Sequence, residues 1–167
     1  MKHFIVVDMQ NDFCTEALAN QAAVKVIPFI KEQLEKARKD GDNVIFTKDT
    51  HQPNYMDTLE GKHLPIPHCI EDTRGWNIVD DLAPLDAETI INKPRFGYDH
   101  WAKHIKPGDE VTMVGTCTDI CVVSNALAIK AIGDIEVTIL KDGCAGLTPA
   151  LHESALAVMQ SCQCTIA

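Results

Sequence analysis

The sequence predicts an α/β fold: a doubly wound, mostly parallel sheet of five to six strands flanked by helices, Rossmann-like in layout. Three observations carry this. Short apolar runs alternate with stretches of helical period along the whole chain. The apolar runs are nearly continuous rather than alternating, as strands covered on both faces require. The 167 residues suit one domain, spanning 1–167.

Phe4-Ile5-Val6-Val7 reads as the first buried strand, ending at Asp8. Ala22 to Lys39 then carries Val24, Val26, Ile27, Phe29, Ile30, Leu34 and Ala37 among charged residues, a helix period. Pro28 implies that the helix proper starts there, since proline is tolerated in a first turn. Asp40-Gly41-Asp42 stops it, and Asn43 to Thr47 is the next strand, leading to Asp49. A polar segment from Thr50 to about Trp76 follows; a loop of that length is usually functional or disordered. Glu88–Asn92 is the third strand, leading to Lys93, and Tyr98 to Ile105 reads as a short helix. Glu110–Gly115 and Ile135–Leu140 are strands on either side of a helix from Thr118 to Ile132. A helix from Thr148 to Gln160 and a sixth strand around Thr165-Ile166 complete the pattern.

Twenty-four acidic against fifteen basic residues give a net charge of -9. That argues against a nucleic-acid partner, which requires a basic footprint. No run of about 18 apolar residues offers a membrane span. The N-terminus lacks the long apolar core and small-residue cleavage site of an export signal. The seven cysteines, an odd number, therefore read as free thiols of a cytoplasmic protein. Cys162-Gln163-Cys164 has no second pair to complete a zinc site.

Ligands of an open parallel sheet bind beyond the carboxyl ends of its strands. Asp8, Asp49, Lys93 and the turn Gly115-Thr116-Cys117-Thr118-Asp119-Ile120-Cys121 stand there. A carboxylate, a cation and a thiol at one edge suffice for nucleophilic catalysis. Cys121 falls in the first turn of the expected helix, where free N–H groups and the dipole favour a thiolate and can receive an oxyanion. A nearby Lys93 would lower the thiol pKa further. Position alone also allows a merely buried Cys121, an Asp8 that caps a helix near Asp12, and a solvated Lys93. In Asp49-Thr50-His51 both side chains point to one face of an extended chain, and Glu60 and His68 lie downstream. Two nitrogens and two carboxylates suit Zn²⁺, Fe²⁺ or Mn²⁺, although the same residues also read as an ordinary polar loop.

Asp8-Met9-Gln10-Asn11-Asp12-Phe13, Asp49-Thr50-His51, Asn92-Lys93-Pro94 and Gly115-Thr116-Cys117-Thr118-Asp119-Ile120-Cys121-Val122 occur in that order. Together they resemble the isochorismatase-like cysteine hydrolases, from residue 3 to about residue 160. Asp-x-His with a later Pro-His-Cys is similar to the nicotinamidase branch. The resemblance implies the isochorismatase-like hydrolase fold and a catalytic triad of Cys121, Asp8 and Lys93. It implies a cis peptide before Cys117 and an oxyanion hole from the N–H groups of Cys117 and Cys121. It also implies one divalent metal, zinc above iron or manganese, on Asp49, His51 and His68. Glu60 is the choice for fourth ligand, with His63 and Asp57 as rivals.

The activity so implied is amide hydrolysis, nicotinamide to nicotinate and ammonia, with the metal holding the pyridine nitrogen while the thiol attacks. The alternatives are another small amide or carbamoyl compound, and a binding protein without turnover. A redox thiol protein fits less well, because Cys117 and Cys121 are spaced Cys-x-x-x-Cys. This chain has His63-Leu64-Pro65-Ile66-Pro67-His68 where the branch often has an aromatic before Pro-Pro-His. Phe13 and Phe96 are therefore the candidates for the substrate wall. The chain is short for the family, which implies trimmed loops or a missing final strand. A homo-oligomer is expected, with no nucleic-acid or membrane partner.

Overall fold

The computed structural model describes residues 1–167. In chain order the elements are β1 (Lys2–Val7), α1 (Asn11–Cys14), α2 (Gln21–Asp40), β2 (Asn43–Asp49), α3 (Leu59–His63), β3 (Thr89–Lys93), β4 (Glu110–Thr116), α4 (Val123–Lys130), β5 (Glu136–Ala145), α5 (Pro149–Ser161) and β6 (Thr165–Ile166). All strand pairs are parallel, in the order β3-β2-β1-β4-β5-β6. The short final strand is present and pairs with β5. The chain winds outward from β1 to β3, then returns to place β4 on the other flank of β1. That reversal leaves a crevice beyond the carboxyl ends of β1 and β4. No helix is long and apolar enough to cross a membrane.

Both faces of the sheet are covered because alternate residues of each strand point to opposite sides. Ile5, Val7, Ile45 and Met113 pack with Val122 just before α4, with Ala126 and Ile129 of α4, and with Leu156 and Met159 of α5. Phe4, Val6, Val44, Phe46 and Val114 pack against Ile30, Leu34 and Ala37 of α2.

The structure corrects three element assignments. α2 begins at Gln21, not Pro28: the Asn20 side chain accepts from Ala22 N–H and caps it there. Pro28 sits inside the helix on its exposed side, where water can serve the carbonyl that proline leaves unpaired. Tyr98 to Ile105 is not a regular helix but a run of turns around one 3₁₀ turn at Trp101–Lys103. There Tyr98 N–H and the Trp101 indole are drawn to Asn125 instead of to helix carbonyls. The helix after β4 opens with a π turn, Thr118–Val122, before α4 proper. The Thr50–Trp76 segment holds α3, capped by Thr58, and a 3₁₀ turn at Tyr55–Asp57.

Gly115, at the end of β4, has φ +128, and a Cβ there would collide with the backbone of Val7 in the neighbouring strand. Gly115→Ala is expected to cost roughly 2–4 kcal/mol through left-handed strain and overpacking. Urea unfolding measures this; a loss below about 0.5 kcal/mol, the range of ordinary surface changes, would show that the β1–β4 spacing yields freely.

Candidate active site

Four strand ends converge in the crevice. Asp8 follows β1 in left-handed backbone (φ 49), a conformation that turns its side chain back beside the sheet edge. Its Oδ1 accepts from the Thr47 hydroxyl at 2.6 Å, and its Oδ2 lies 2.6 Å from Lys93 Nζ. Lys93 ends β3, opposite Asp49 in register, and is fully buried. Its ammonium also lies 3.8 Å from Asp49 Oδ1 and donates to the Arg95 carbonyl at 3.2 Å. Asp8 is not a helix cap: α1 begins after Gln10, and no side chain caps it.

Cys121 lies within the π turn, 4% exposed, where it feels the charges of Asp8 and Lys93. The carbonyl of Cys117 accepts from the N–H groups of both Ile120 and Val122, each at 3.1 Å, which gives the turn its extra residue. The Thr116–Cys117 peptide is cis.

The electrostatics differ from the expected thiolate. Burial pushes the Cys121 thiol well above its usual range and the Asp8 carboxylate adds to this, outweighing Lys93. Burial also raises Asp8, with Asp49 adding to it and Lys93 opposing. Burial works against a charge on Lys93, yet Asp8, Cys121 and Asp49 hold it above the ordinary lysine range. Burial thus favours a neutral thiol at Cys121, while the Lys93 ammonium at 2.6 Å favours the carboxylate form of Asp8 against burial. Cys117, raised to about 11 mainly by burial, is also a neutral thiol.

Next to this cluster Asp49, His51, Glu60 and His68 bring one ligand atom each to within 4.8 Å of one another. His51 Nε2 is 3.0 Å from Asp49 Oδ2 and 3.5 Å from Glu60 Oε1; His68 Nε2 is 3.5 and 3.7 Å from the same two atoms. The loop closes on itself to do this: His51 N–H bonds the Cys69 carbonyl, and Glu71 N–H bonds His51 O. His68 Nδ1 is 2.8 Å from the Ile66 carbonyl, which makes it the protonated nitrogen and leaves Nε2 free to coordinate. Asp49 Oδ1 is buried without a hydrogen-bond partner. Burial raises Glu60, and the adjacent Asp49 adds to this. A buried and a half-buried carboxylate with two buried imidazoles at this spacing fit a borderline divalent cation. Asp57 and His63, the rival fourth ligands, are exposed and outside the cluster.

A cavity of about 540 Å³ opens onto both clusters, with Cys117, Cys121, Asp49 and His68 in its lining. Phe13 and Phe96 line it too, as does Leu64. The Phe13 ring centroid lies 5.6 Å from that of His68, and Phe96 is 46% exposed.

A family model, the isochorismatase domain, matches residues 2–167. The chain belongs to the isochorismatase family. It is similar to the nicotinamidase/pyrazinamidase of Mycobacterium tuberculosis, 28% identical over 168 residues that cover 85% of this chain and 89% of the relative. The pyrazinamidase of Pyrococcus horikoshii, solved in complex with zinc, superposes with a TM-score of 0.85 at 28% identity, covering 99% of this chain and 98% of that one. The nicotinamidase/pyrazinamidase of Bacillus subtilis superposes with a TM-score of 0.87 at 26% identity, over 99% and 98% of the two chains.

Sequence reasoning missed three polar residues around the site. Thr47 steadies Asp8. Gln10 grips Asp49 through both backbone groups, accepting from its N–H at 2.7 Å and donating to its carbonyl at 2.9 Å. Asn125 bonds the Cys121 carbonyl. Gln10 stood inside a recognised motif; nothing local marked Thr47 or Asn125.

Two outcomes follow from the charges. Because burial favours the neutral thiol, its ionised fraction grows only as pH rises: alkylation of Cys121 by iodoacetamide, followed by peptide mass spectrometry, should accelerate above pH ~8.5, the ordinary thiol value. A midpoint below that would establish a resting thiolate. Lys93→Met leaves two carboxylates buried without their cation and should cost about 3–5 kcal/mol in urea unfolding. A loss under ~1 kcal/mol would mean that Asp8 and Asp49 shed their charge instead.

Proposed function

We propose that the protein is a cysteine amidohydrolase of the nicotinamidase type, converting nicotinamide and water to nicotinate and ammonia. The observation that carries this reading is the placing of Cys121, in the lining of a cavity, beside the Asp8–Lys93 ion pair and a four-residue cluster that could hold a metal. The family and the nicotinamidase relatives support it.

Asp8 takes the proton of the Cys121 thiol as Sγ attacks the carboxamide carbon. The carbonyl oxygen becomes an oxyanion, received by the N–H groups of Cys117 and Cys121. The C–N bond breaks as Asp8 returns the proton to the departing ammonia, leaving a thioester on Cys121. Asp8 then takes a proton from water, whose hydroxyl adds to the thioester carbon. The C–S bond breaks, the thiolate recovers its proton from Asp8, and nicotinic acid leaves and ionises. Lys93 takes no proton; it keeps Asp8 ionised between the two halves of the cycle. Burial raising Asp8 strengthens it as a base, while the ammonium at 2.6 Å keeps that base charged.

Asp49, His51, Glu60 and His68 would hold a divalent cation, zinc by their donor set, which supplies a Lewis-acid contact for the pyridine nitrogen. Phe13 and Phe96 form the apolar walls against which the ring is held.

Cys121→Ala should abolish ammonia release from nicotinamide by a factor of about 10⁴ or more, as loss of a nucleophile does in other hydrolases, with an unchanged melting curve. Near-normal release would remove Cys121 from the role. His51→Ala should lower the zinc bound per chain, read by elemental analysis after dialysis, and raise KM more than it lowers kcat. Undiminished zinc in that variant would place the ion elsewhere.

A further inference from the structure

Asn125 is fully buried and stands in α4, four residues after Cys121. Its amide uses the whole of its hydrogen-bonding capacity. Nδ2 donates to the carbonyls of Cys121 at 2.8 Å and Phe96 at 3.0 Å. Oδ1 accepts from Tyr98 N–H and from the Trp101 indole, each at 2.9 Å. One partner is thus the carbonyl of the nucleophile itself. The other three lie in the segment after Lys93 that carries the Phe96 wall.

Three other side-chain ties of the nucleophile turn run to the opposite flank. The Thr116 hydroxyl donates to Ala145 O at 3.1 Å, the Thr118 hydroxyl meets His152 Nδ1 at 2.8 Å, and Asp119 Oδ1 accepts from Leu147 N–H at 2.9 Å. Those bonds fix the turn to the β5–α5 connection, whereas Asn125 fixes it to the β3 side, where Lys93 stands. We propose that Asn125 is a positioning residue: its two donors hold Cys121 and the Phe96 wall at one separation, and so place the attacking sulfur relative to the bound ring. This inference rests on the reading of Cys121 as nucleophile and of Phe96 as a wall of the substrate cavity.

The two donor bonds are separable by chemistry. A hydroxyl in a helix can donate to the carbonyl four residues back, as Ser124 does to Ile120 O at 2.6 Å in this same helix. Asn125→Thr therefore keeps a donor on the Cys121 carbonyl and gives up Phe96, while Asn125→Leu, of similar size, gives up both.

The test uses the full-length protein and four readings: kcat and KM for ammonia release from nicotinamide, the Cys121 alkylation rate at one fixed pH, the Kd of nicotinate, and the melting temperature. Small displacements of reacting groups carry large rate penalties, so Asn125→Leu is expected to lose about tenfold or more in both kcat and alkylation rate and to bind nicotinate more weakly. Asn125→Thr is expected to stay within about threefold of the parent in kcat and alkylation while KM and the nicotinate Kd rise about tenfold. A folded Asn125→Leu with unchanged kcat and alkylation overturns the proposal. So does an Asn125→Thr that leaves KM and the nicotinate Kd unmoved, or that loses kcat without any change in KM; these readings decide the matter if Asn125→Leu does not fold. Wild-type protein that releases no ammonia from nicotinamide, with alkylation still following the Leu and Thr pattern, would overturn the nicotinamide reading and leave the positioning role standing.

Discussion

Lys93 is an ammonium with no access to solvent, held between the carboxylates of Asp8 at 2.6 Å and Asp49 at 3.8 Å. Removing three charges from water costs several kcal/mol each, and the interior recovers this only through close opposite charge and hydrogen bonds. Each strand end supplies part of that compensation: Asp8 after β1, Asp49 from β2, and Lys93 from β3 with the Arg95 carbonyl beside it. Three parallel strands must stop level with one another for the cluster to exist. The register that pairs Asp49 with Lys93, and Val7 with Thr47, is therefore an electrostatic requirement as well as a packing one.

The same ammonium links two chemistries. One carboxylate beside it acts on the thiol of Cys121; the other belongs to the four-residue cluster that could hold a metal. Lys93 favours a charged Asp8 against burial without overcoming the burial that favours a neutral thiol at Cys121. A buried thiolate beside a carboxylate would be the costlier resting state, since two like charges would share one apolar pocket. The helix terminus and the lysine do not overcome this at Cys121, because the thiol is enclosed and the Asp8 carboxylate acts on it more strongly than Lys93 does.

Around this centre, backbone groups are held by polar side chains. Gln10 fixes Asp49 by both of its backbone groups, and Asp12 accepts from Cys69 N–H at 2.7 Å, next to His68. Gly75 packs against the Asp12 carboxylate so closely that a Cβ could not be accommodated. The long segment between β2 and β3 is thus stapled to the β1 end on both sides. That is how a stretch with one short helix can hold His51, Glu60 and His68 within ligand distance.

The strands, their parallel arrangement and the identities of Asp8, Asp49, Lys93 and Cys121 as strand-end residues were legible from hydrophobic period alone, because buried parallel strands leave an apolar signature that ends where the site begins. Glu60 was preferred to Asp57 and His63 in the sequence, but spacing could not separate them. The choice belongs to α3, whose Thr58 cap and close approach of Gly61 to the Tyr55 carbonyl accompany an inward Glu60 and outward neighbours. The turns of residues 98–105, the π turn that holds Cys121 and the run of α2 through Pro28 likewise depend on partners far along the chain or on which face meets water. The charge state of the thiol was the furthest from reach: local sequence shows a helix start and a lysine, while the outcome is set by how completely the fold excludes water from Cys121 and how near it brings Asp8. Period and residue type act locally and can be read in order; burial and long-range hydrogen bonds are created only when the strands assemble, and they decide the rest.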